Sequence, residues 1–304
     1  MFFSAILHFL MRFFVTDCDN TIVFYSKNLS ANSSDVVWLP PSSGSGKLGY
    51  VSKDVLKNLE CISHNSTIIC ASGMRQSTML QRQAIFSSIR YWICENGGRI
   101  FQRLDNGDME EILEWRNEIS KISSTEESIS ALRSLSNYFK TLGWSVDDNY
   151  ETMIRLREKH DKNFSEIIPF IPGTLKYTYN LGYLDIHLPH CDKLTSSQWL
   201  MNLLMKEEIT ESDNNPFYFM GDDDNDIVIA SAASAAFITN PCSARMLEFI
   251  KSQDKKGVLS HEDSSTPIIC IDRSPAGNIY LSKKIDHLSA SELLDFVLHN
   301  SDKL

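Results

Sequence analysis

The sequence predicts an α/β protein: a Rossmann-like, doubly wound parallel sheet with helices on both faces, carrying an inserted α+β cap domain. Short apolar runs alternate with amphipathic helical segments in both halves of the 304-residue chain, the order that a parallel sheet with crossover helices requires. That alternation lapses between about residues 99 and 189, where a long polar stretch and several short alternating runs intervene. Two of the apolar runs end in carboxylate clusters, Asp17-Cys18-Asp19-Asn20-Thr21 and Gly221-Asp222-Asp223-Asp224-Asn225-Asp226. Carboxylates at the ends of two buried strands of one sheet repel, and a bound cation is the usual remedy.

The first strand is expected over Arg12 to Thr16, followed by a Ser-, Asn-, Pro- and Gly-rich connection from Ser26 to Gly49. A helix then starts at Ser52, with Val55, Leu56 and Leu59 on one side. Ser66 to Ala71 reads as the next strand, closed by Ser72-Gly73 before a helix from about Arg75. Tyr91-Trp92-Ile93-Cys94 reads as another, ending in the turn Glu95-Asn96-Gly97-Gly98. Met109 to Leu142 is helix-favouring, whereas Met153 to Arg157 and Tyr183 to His187 alternate as half-buried strands. The α/β order resumes at Lys193 with a helix capped by Thr195 that buries Trp199, Leu200, Leu203 and Leu204. Pro216 to Met220 is the strand before the second cluster, and Ala235 to Thr239 and Ser243 to Lys251 supply a further strand and helix. A hairpin from Ile268 to Lys284 around Pro275-Ala276-Gly277-Asn278, then a helix from Ser289 to His299, complete the pattern. The expected division is a core of residues 11–98 and 190–304 and a cap of residues 99–189.

A chain that is 42% hydrophobic is globular, and its length allows one large core plus a smaller domain. The net charge of -10 argues against general affinity for nucleic acid or an anionic membrane, so a small anionic substrate has to be met locally. Seven cysteines without CxxC spacing, an odd number, point to reduced thiols and a cytoplasmic protein. The apolar opening from Met1 to Leu10 is too short to span a membrane and lacks the flanks of a cleaved signal, and Met11 is an alternative start.

In an open parallel sheet the reactive groups collect beyond the carboxyl ends of the strands, and Asp17, Ser72, the Lys193 region and Asp222 each fall there. Asp17 and Asp19, two residues apart, can project to the same side, one attacking phosphorus and the other moving a proton. Asp222 suits a Mg²⁺ ligand, and Asp226, one turn on, can orient a metal-bound water. Ser72 and the Gly73 amide, at a helix N-terminus, offer donors to phosphate; Lys193 offers a point charge, and Asn225 can hold the lysine or the phosphate. Asp223 and Asp224 read as solvated loop carboxylates or helix N-terminal charges, and Cys18 as an inward-packing side chain. Arg155 and Arg157 point from one face of a cap strand. His187 to Cys191 lacks the second ligand group of a metal site.

These motifs, Asp17-Cys18-Asp19-Asn20-Thr21, Ala71-Ser72-Gly73-Met74-Arg75, Asp192-Lys193 and Gly221 to Asp226, resemble in order those of the haloacid dehalogenase superfamily, in its Mg²⁺-dependent phosphatase branch. The Glu95 to Gly98 turn and the placement of the insert resemble its type II, subclass B cap, the sucrose-phosphate, trehalose-phosphate and Cof-like sugar phosphatase group. The resemblance implies a phosphoric monoester hydrolase working through an aspartyl-phosphate, with Asp17 as nucleophile and Asp19 as general acid/base. It further implies Ser72 and Lys193 on the phosphate, and Mg²⁺ on Asp17, the Asp19 main-chain carbonyl and Asp222. A small phosphorylated metabolite, foremost a sugar phosphate, is the implied substrate; a phosphomutase and a non-catalytic sugar-phosphate-binding module are the alternatives. Cys18 and Asn20 depart from the apolar residue and glycine common in the first motif, and the Ser26 to Gly49 connection is longer than usual.

Overall fold

The computed structural model describes residues 13–25, 34–43, 46–122, 125–157, 163–180, 182–206, 216–260, 267–274 and 276–300. The readings made on residues 1–12, on residues 26–33, 44 and 45 of the long connection, and on Pro275 lie outside them.

The chain runs β1 (Phe13–Thr16), β2 (Val36–Trp38), β3 (Tyr50–Ser52), α1 (Lys53–Ser63), β4 (Thr67–Ala71), α2 (Gln76–Arg82) and β5 (Tyr91–Cys94). A 3-10 turn over Glu95–Gly97 leads to β6 (Arg99–Arg103) and β7 (Met109–Glu111). Next come α3 (Leu113–Ile122), α4 (Thr125–Thr141), β8 (Ser145–Asp147), β9 (Met153–Arg157), β10 (Lys176–Asn180) and β11 (Tyr183–His187). The return comprises α5 (Lys193–Lys206), β12 (Phe217–Gly221), α6 (Ile227–Ala232), β13 (Ala235–Ile238), α7 (Ala244–Gln253), β14 (Ile268–Asp272), β15 (Asn278–Ser282) and α8 (Asp286–Asn300).

The main sheet has nine strands in the order β14-β15-β13-β12-β1-β4-β5-β6-β7. From β15 to β5 every pairing is parallel, and antiparallel strands close both edges. Alternate side chains of β1 serve opposite layers: Phe13 and Val15 pack with Leu200, Ile229 and Met246, while Phe14 packs with Val55, Met79 and Leu293. Thus α5, α6 and α7 cover one face and α1, α2 and α8 the other, which is the doubly wound arrangement the alternation of apolar runs predicts.

The cap is built on a four-stranded antiparallel sheet, β10-β11-β9-β8, backed by α4 through Leu132, Leu135 and Phe139 against Ile154, Leu156 and Leu184. Helix α3 ties it to the core: the Trp115 ring packs against Trp199 of α5 with centroids 5.1 Å apart, and its indole N–H donates to the Gly97 carbonyl at 2.8 Å.

Several expectations are refined. The main sheet takes in β6 and β7, both past residue 98, because the chain reverses at the Glu95 turn and pairs back on β5 before leaving the sheet. The helix-favouring stretch Met109 to Leu142 opens with strand β7 before helices α3 and α4. Within the long connection Val36–Trp38 pairs with Tyr50–Ser52, and Ser52 Oγ caps α1 by accepting the Val55 N–H at 3.1 Å. Helix α5 is capped by Asp192 and not by Thr195, whose N–H and hydroxyl both donate to the Asp192 carboxylate at 2.8 Å. Trp199, Leu203 and Leu204 are half-buried, and Met201 joins Leu200 in the core.

His187, the last residue of β11, is buried; its Nδ1–H donates to the Leu188 carbonyl at 3.0 Å, and Nε2 has no hydrogen-bond partner among the described residues. Burial pulls its pKa below the ordinary 6.5, so the unfolded chain takes up the proton first and stability present above pH 6.5 is lost as pH falls through that value. The loss is expected to approach about 1.4 kcal/mol per pH unit and to flatten in His187→Gln. Thermal melts of both proteins between neutral and mildly acid pH measure it, and parallel slopes would refute it.

Candidate active site

Strands β1 and β12 are parallel neighbours, so both carboxylate clusters leave the sheet at the same end. The Asp17 N–H donates to the Met220 carbonyl at 2.8 Å, after which the chain winds onto the Cys18 carbonyl, which accepts the N–H groups of Ile22 and Val23 at 3.0 and 2.9 Å. Asn20 takes the left-handed backbone this winding needs, φ 59°, a conformation asparagine tolerates better than most residues with a side chain. That accounts for asparagine where glycine is common. Cys18 is turned inward as expected, its sulfur accepting from Arg82 Nη1 at 3.4 Å.

Lys193, the first residue of α5, is 3% exposed and extends its ammonium among three acceptors: Asp17 Oδ1 at 2.7 Å, Asp226 Oδ1 at 2.6 Å and Asn225 Oδ1 at 3.3 Å. The other Asp226 oxygen accepts the N–H groups of Asp222 and Asp223 at 3.1 and 3.2 Å, and the Thr21 hydroxyl donates to Asp222 Oδ1 at 2.8 Å. Carboxylate oxygens of Asp17, Asp222 and Asp226 all lie within 4.8 Å of one another.

Burial pushes the Asp17 carboxyl up to about 7, against the pull of Lys193 and with Asp226 adding to the rise. Burial likewise drives Asp222 well above the ordinary range, with repulsion from Asp17 and Asp226 behind it. Burial alone would lower Lys193, but Asp17 and Asp226 hold it above its usual value. Three buried carboxylates against one ammonium leave a surplus of negative charge on an all-oxygen donor set. Such a set fits a hard divalent cation. Asp17 and Asp222 each keep an oxygen that these contacts leave open, whereas both oxygens of Asp226 are taken by protein donors.

Asp19 is not one of these three clustered carboxylates. Its Oδ1 accepts from Arg82 Nη1 and the Tyr25 hydroxyl, each at 2.7 Å. Burial would raise its pKa, but Arg82 and Tyr25 hold it below the usual carboxylate range. Ser72 and Gly73 lie at the carboxyl end of β4, beside β1, and Ser72 Oγ accepts the Met74 N–H at 3.3 Å. Helix α2 begins only at Gln76, so the two residues sit in the loop before the helix and not at its N-terminus as expected.

Gly73 is the point where the cap meets the core. A Cβ there would stand 2.7 Å from Asn180 Nδ2 and 2.8 Å from both Arg155 Nη2 and Asn96 Oδ1. Arg155 binds Asp185 through Nε and Nη2 at 2.6 Å each and donates from Nη2 to the Gly73 carbonyl at 3.1 Å. Its guanidinium lies 5.5 Å from the Tyr150 ring and 5.3 Å from that of Tyr183; Arg75, paired with Asp147, lies 4.9 Å from Tyr150. Arg157 is exposed.

The structure brings Asp17, Lys193, Asp222, Asn225 and Asp226 together, and beside them Tyr25, Arg82, Asn96, Asn180 and Asp185, which the sequence does not single out. For Asp185 a signal existed: a carboxylate on an otherwise buried strand, whose direct cross-strand partner is Arg155. Arg82 reads as an ordinary last-turn cation, and Asn96 is hidden by the turn it helps to make.

No protein-family model matches the chain, and no curated protein does. Solved structures do. A Thermoplasma acidophilum protein superposes with a TM-score of 0.53 at 11% identity, over 96% of this chain and 99% of its own. A trehalose-6-phosphate phosphatase related protein gives 0.51 at 11% identity, over 95% and 98%. A sugar phosphatase described as subclass IIB of the haloacid dehalogenase (HAD) superfamily gives 0.52 at 12% identity, over 78% and 91%. At such identities the likeness is one of fold, and by it the chain adopts the haloacid dehalogenase fold, a Rossmann-like sheet with an inserted α+β cap.

Proposed function

We propose that the chain is a Mg²⁺-dependent phosphomonoesterase that hydrolyses a small phosphorylated metabolite with a neutral, hydroxyl-rich leaving group, a sugar phosphate. The observation that carries this reading is the buried ammonium of Lys193 shared between Asp17 and Asp226 beside Asp222, at the carboxyl end of a parallel sheet.

Asp17 attacks phosphorus through the oxygen that Lys193 leaves open. The bond from Asp17 to phosphorus forms as the bond to the leaving oxygen breaks, and Asp19, having taken a proton from solvent on the oxygen that Arg82 and Tyr25 leave open, passes it to that oxygen. Water then attacks phosphorus, Asp19 takes its proton, and the Asp17 carboxylate is restored as phosphate departs. Lys193, Ser72 and the Gly73 amide bind the phosphoryl oxygens, with Asn225 steadying Lys193. Mg²⁺ would be held by Asp17, the Asp19 main-chain carbonyl and Asp222, with Asp226 orienting from behind, and would neutralise charge on those oxygens.

Charge matching supports the neutral leaving group. Arg82 faces Asp19, Arg155 faces Asp185 and Arg75 faces Asp147, so each of these guanidinium groups already has its carboxylate. Two of the similar structures are described as a sugar phosphatase and a trehalose-6-phosphate phosphatase related protein. We place the enzyme in the cytoplasm, since its seven cysteines are free thiols, with a small metabolite rather than a nucleic acid as its partner given a net charge of -10. Among the described residues no helix is long and apolar enough to cross a membrane. The cap is proposed as the domain that closes over the bound substrate.

Phosphate release from a panel of sugar and disaccharide phosphates is expected to require Mg²⁺ and to fall on the order of a thousandfold or more in Asp17→Asn. Activity unchanged in that variant would sink the mechanism, and no release from any member would favour a binding module. Sugar bisphosphates should be turned over at least about tenfold less efficiently than monophosphates, since a second anion finds no unmatched cation among these three arginines. Preference for a bisphosphate with little net phosphate release would identify a mutase instead.

Metal binding has a readout free of turnover. At a hundredfold excess over Kd, Mg²⁺ is expected to stabilise the protein by about 2.7 kcal/mol. In Asp222→Asn the metal-free melting temperature should rise as repulsion is relieved, and the Mg²⁺ shift should shrink. Equal shifts in both proteins would exclude Asp222 as a ligand.

A further inference from the structure

Asn96 stands between the cap and the phosphate site. It is 2% exposed, has the left-handed φ of 53°, and its N–H donates to the Ser72 carbonyl at 3.2 Å. Its side chain bridges β11 of the cap and the turn that carries Asn225: Nδ2 donates to Asp185 Oδ2 at 2.8 Å, and Oδ1 accepts from Asn225 Nδ2 at 3.0 Å. Asn225 Oδ1 in turn accepts from Lys193 at 3.3 Å.

The two ends of this chain fix its direction. The Asp185 carboxylate, paired with Arg155, only accepts, and the Lys193 ammonium only donates. Asn96 must therefore turn its NH₂ to Asp185, which leaves its oxygen for Asn225. That obliges Asn225 to offer its own NH₂ to Asn96 and its oxygen to Lys193. Each amide has one orientation that satisfies both neighbours. Without Asp185 in place Lys193 still orients Asn225, but the Asn96 NH₂ loses its charged acceptor, and Asn225 is then held by a partner no longer anchored to the cap.

We propose that Asn96 is a positioning residue that passes the seating of the cap, through Asp185, to Asn225 and so to Lys193, setting the phosphate grip only when the cap is down. The inference rests on the reading of Lys193 and Asn225 as that grip. Asp185 touches neither, yet its removal loosens both.

Amide hydrogen exchange on the full chain tests this without turnover. Asp185→Asn is expected to speed exchange of residues 221–226 severalfold in the otherwise native protein. In an Asn96→Gly background, which keeps the left-handed backbone but cuts the relay, the same change should add nothing there. In kinetics, Asp185→Asn and Asn225→Ala should each lower kcat about tenfold, and the double variant should lose clearly less than the product, a coupling that Asn96→Gly abolishes. A second variant guards against a fold defect caused by deleting the Asn96 side chain: Asn96→Asp opposes two carboxylates and should lose activity, and adding Asp185→Asn should recover part of it. A purely structural role would lower Tm without that rescue. Unchanged exchange at 221–226 in Asp185→Asn, or the same response with Asn96→Gly present, overturns the proposal. Transmitted exchange in a protein that releases no phosphate from any substrate would uphold the relay and remove the phosphatase reading.

Discussion

The ammonium of Lys193 is the contact on which the rest of the arrangement depends. A parallel sheet gathers its strand ends, and here it gathers Asp17, Asp222 and Asp226 within 4.8 Å under almost complete burial. Uncompensated, each such charge costs several kcal/mol. Lys193 offsets part of that cost because α5 begins where it does. The Asp192 side chain ends the preceding segment as an N-cap, and the next residue enters the sheet end at the helix's first turn. Capping and charge compensation are therefore one structural event.

The four-residue turn after β5 constrains the same region from the other side. Glu95, itself at φ 56°, accepts the Glu151 N–H at 3.0 Å and the Thr152 N–H and hydroxyl at 2.8 Å, clasping the segment that leads into β9. A Cβ on Gly98 would lie 1.8 Å from Thr152 Oγ1, and one on Gly97, at φ 109°, would lie 2.5 Å from the Asp192 carbonyl. The Glu-Asn-Gly-Gly sequence thus has a separate task at each position: it grips the cap, bridges to Asn225, clears the start of α5 and clears Thr152. A sequence pattern identifies it only as a turn, since the pattern reports backbone shape and not what the backbone passes.

What was legible in the sequence follows the same division. Short apolar runs and capped helices made the central sheet readable, and carboxylates at the ends of two such runs made Asp17 and Asp222 readable, because topology alone brings strand ends together. The hairpin β2–β3 was not readable: three-residue strands in a Ser- and Pro-rich stretch carry no period, and pairing to each other is what makes them strands. Residues that act from other layers were not readable either. Arg82 approaches Asp19 from beneath the loop and Asp185 approaches Asn96 from the cap, contacts 63 and 89 positions apart in the chain that no local pattern reports. Asp19 itself was legible as a residue but not as a partner of Arg82.

The placement of ion pairs also bears on how the cap can move. Arg155 and Asp185 are cross-strand partners inside the cap sheet, and Arg82 and Asp19 both belong to the core. Had these buried charges been paired across the interface, lifting the cap would strand them, at about 3–5 kcal/mol for each broken pair. Instead the contacts that span it near Gly73 are single hydrogen bonds, from Arg155 to the Gly73 carbonyl and from Asn96 to Asp185, each worth about 1.5–3 kcal/mol against water. Two ion pairs do cross, Arg75 with Asp147 and Arg99 with Glu151, and their carboxylates are 30% and 51% exposed, so water replaces the partner at little cost. On the proposed function this matters directly: on the Gly73 side the buried charges are satisfied within each domain and the interface is left to weaker bonds that a substrate can exchange for its own hydroxyl groups, while the buried Glu95 carboxylate keeps its hold on the segment into β9.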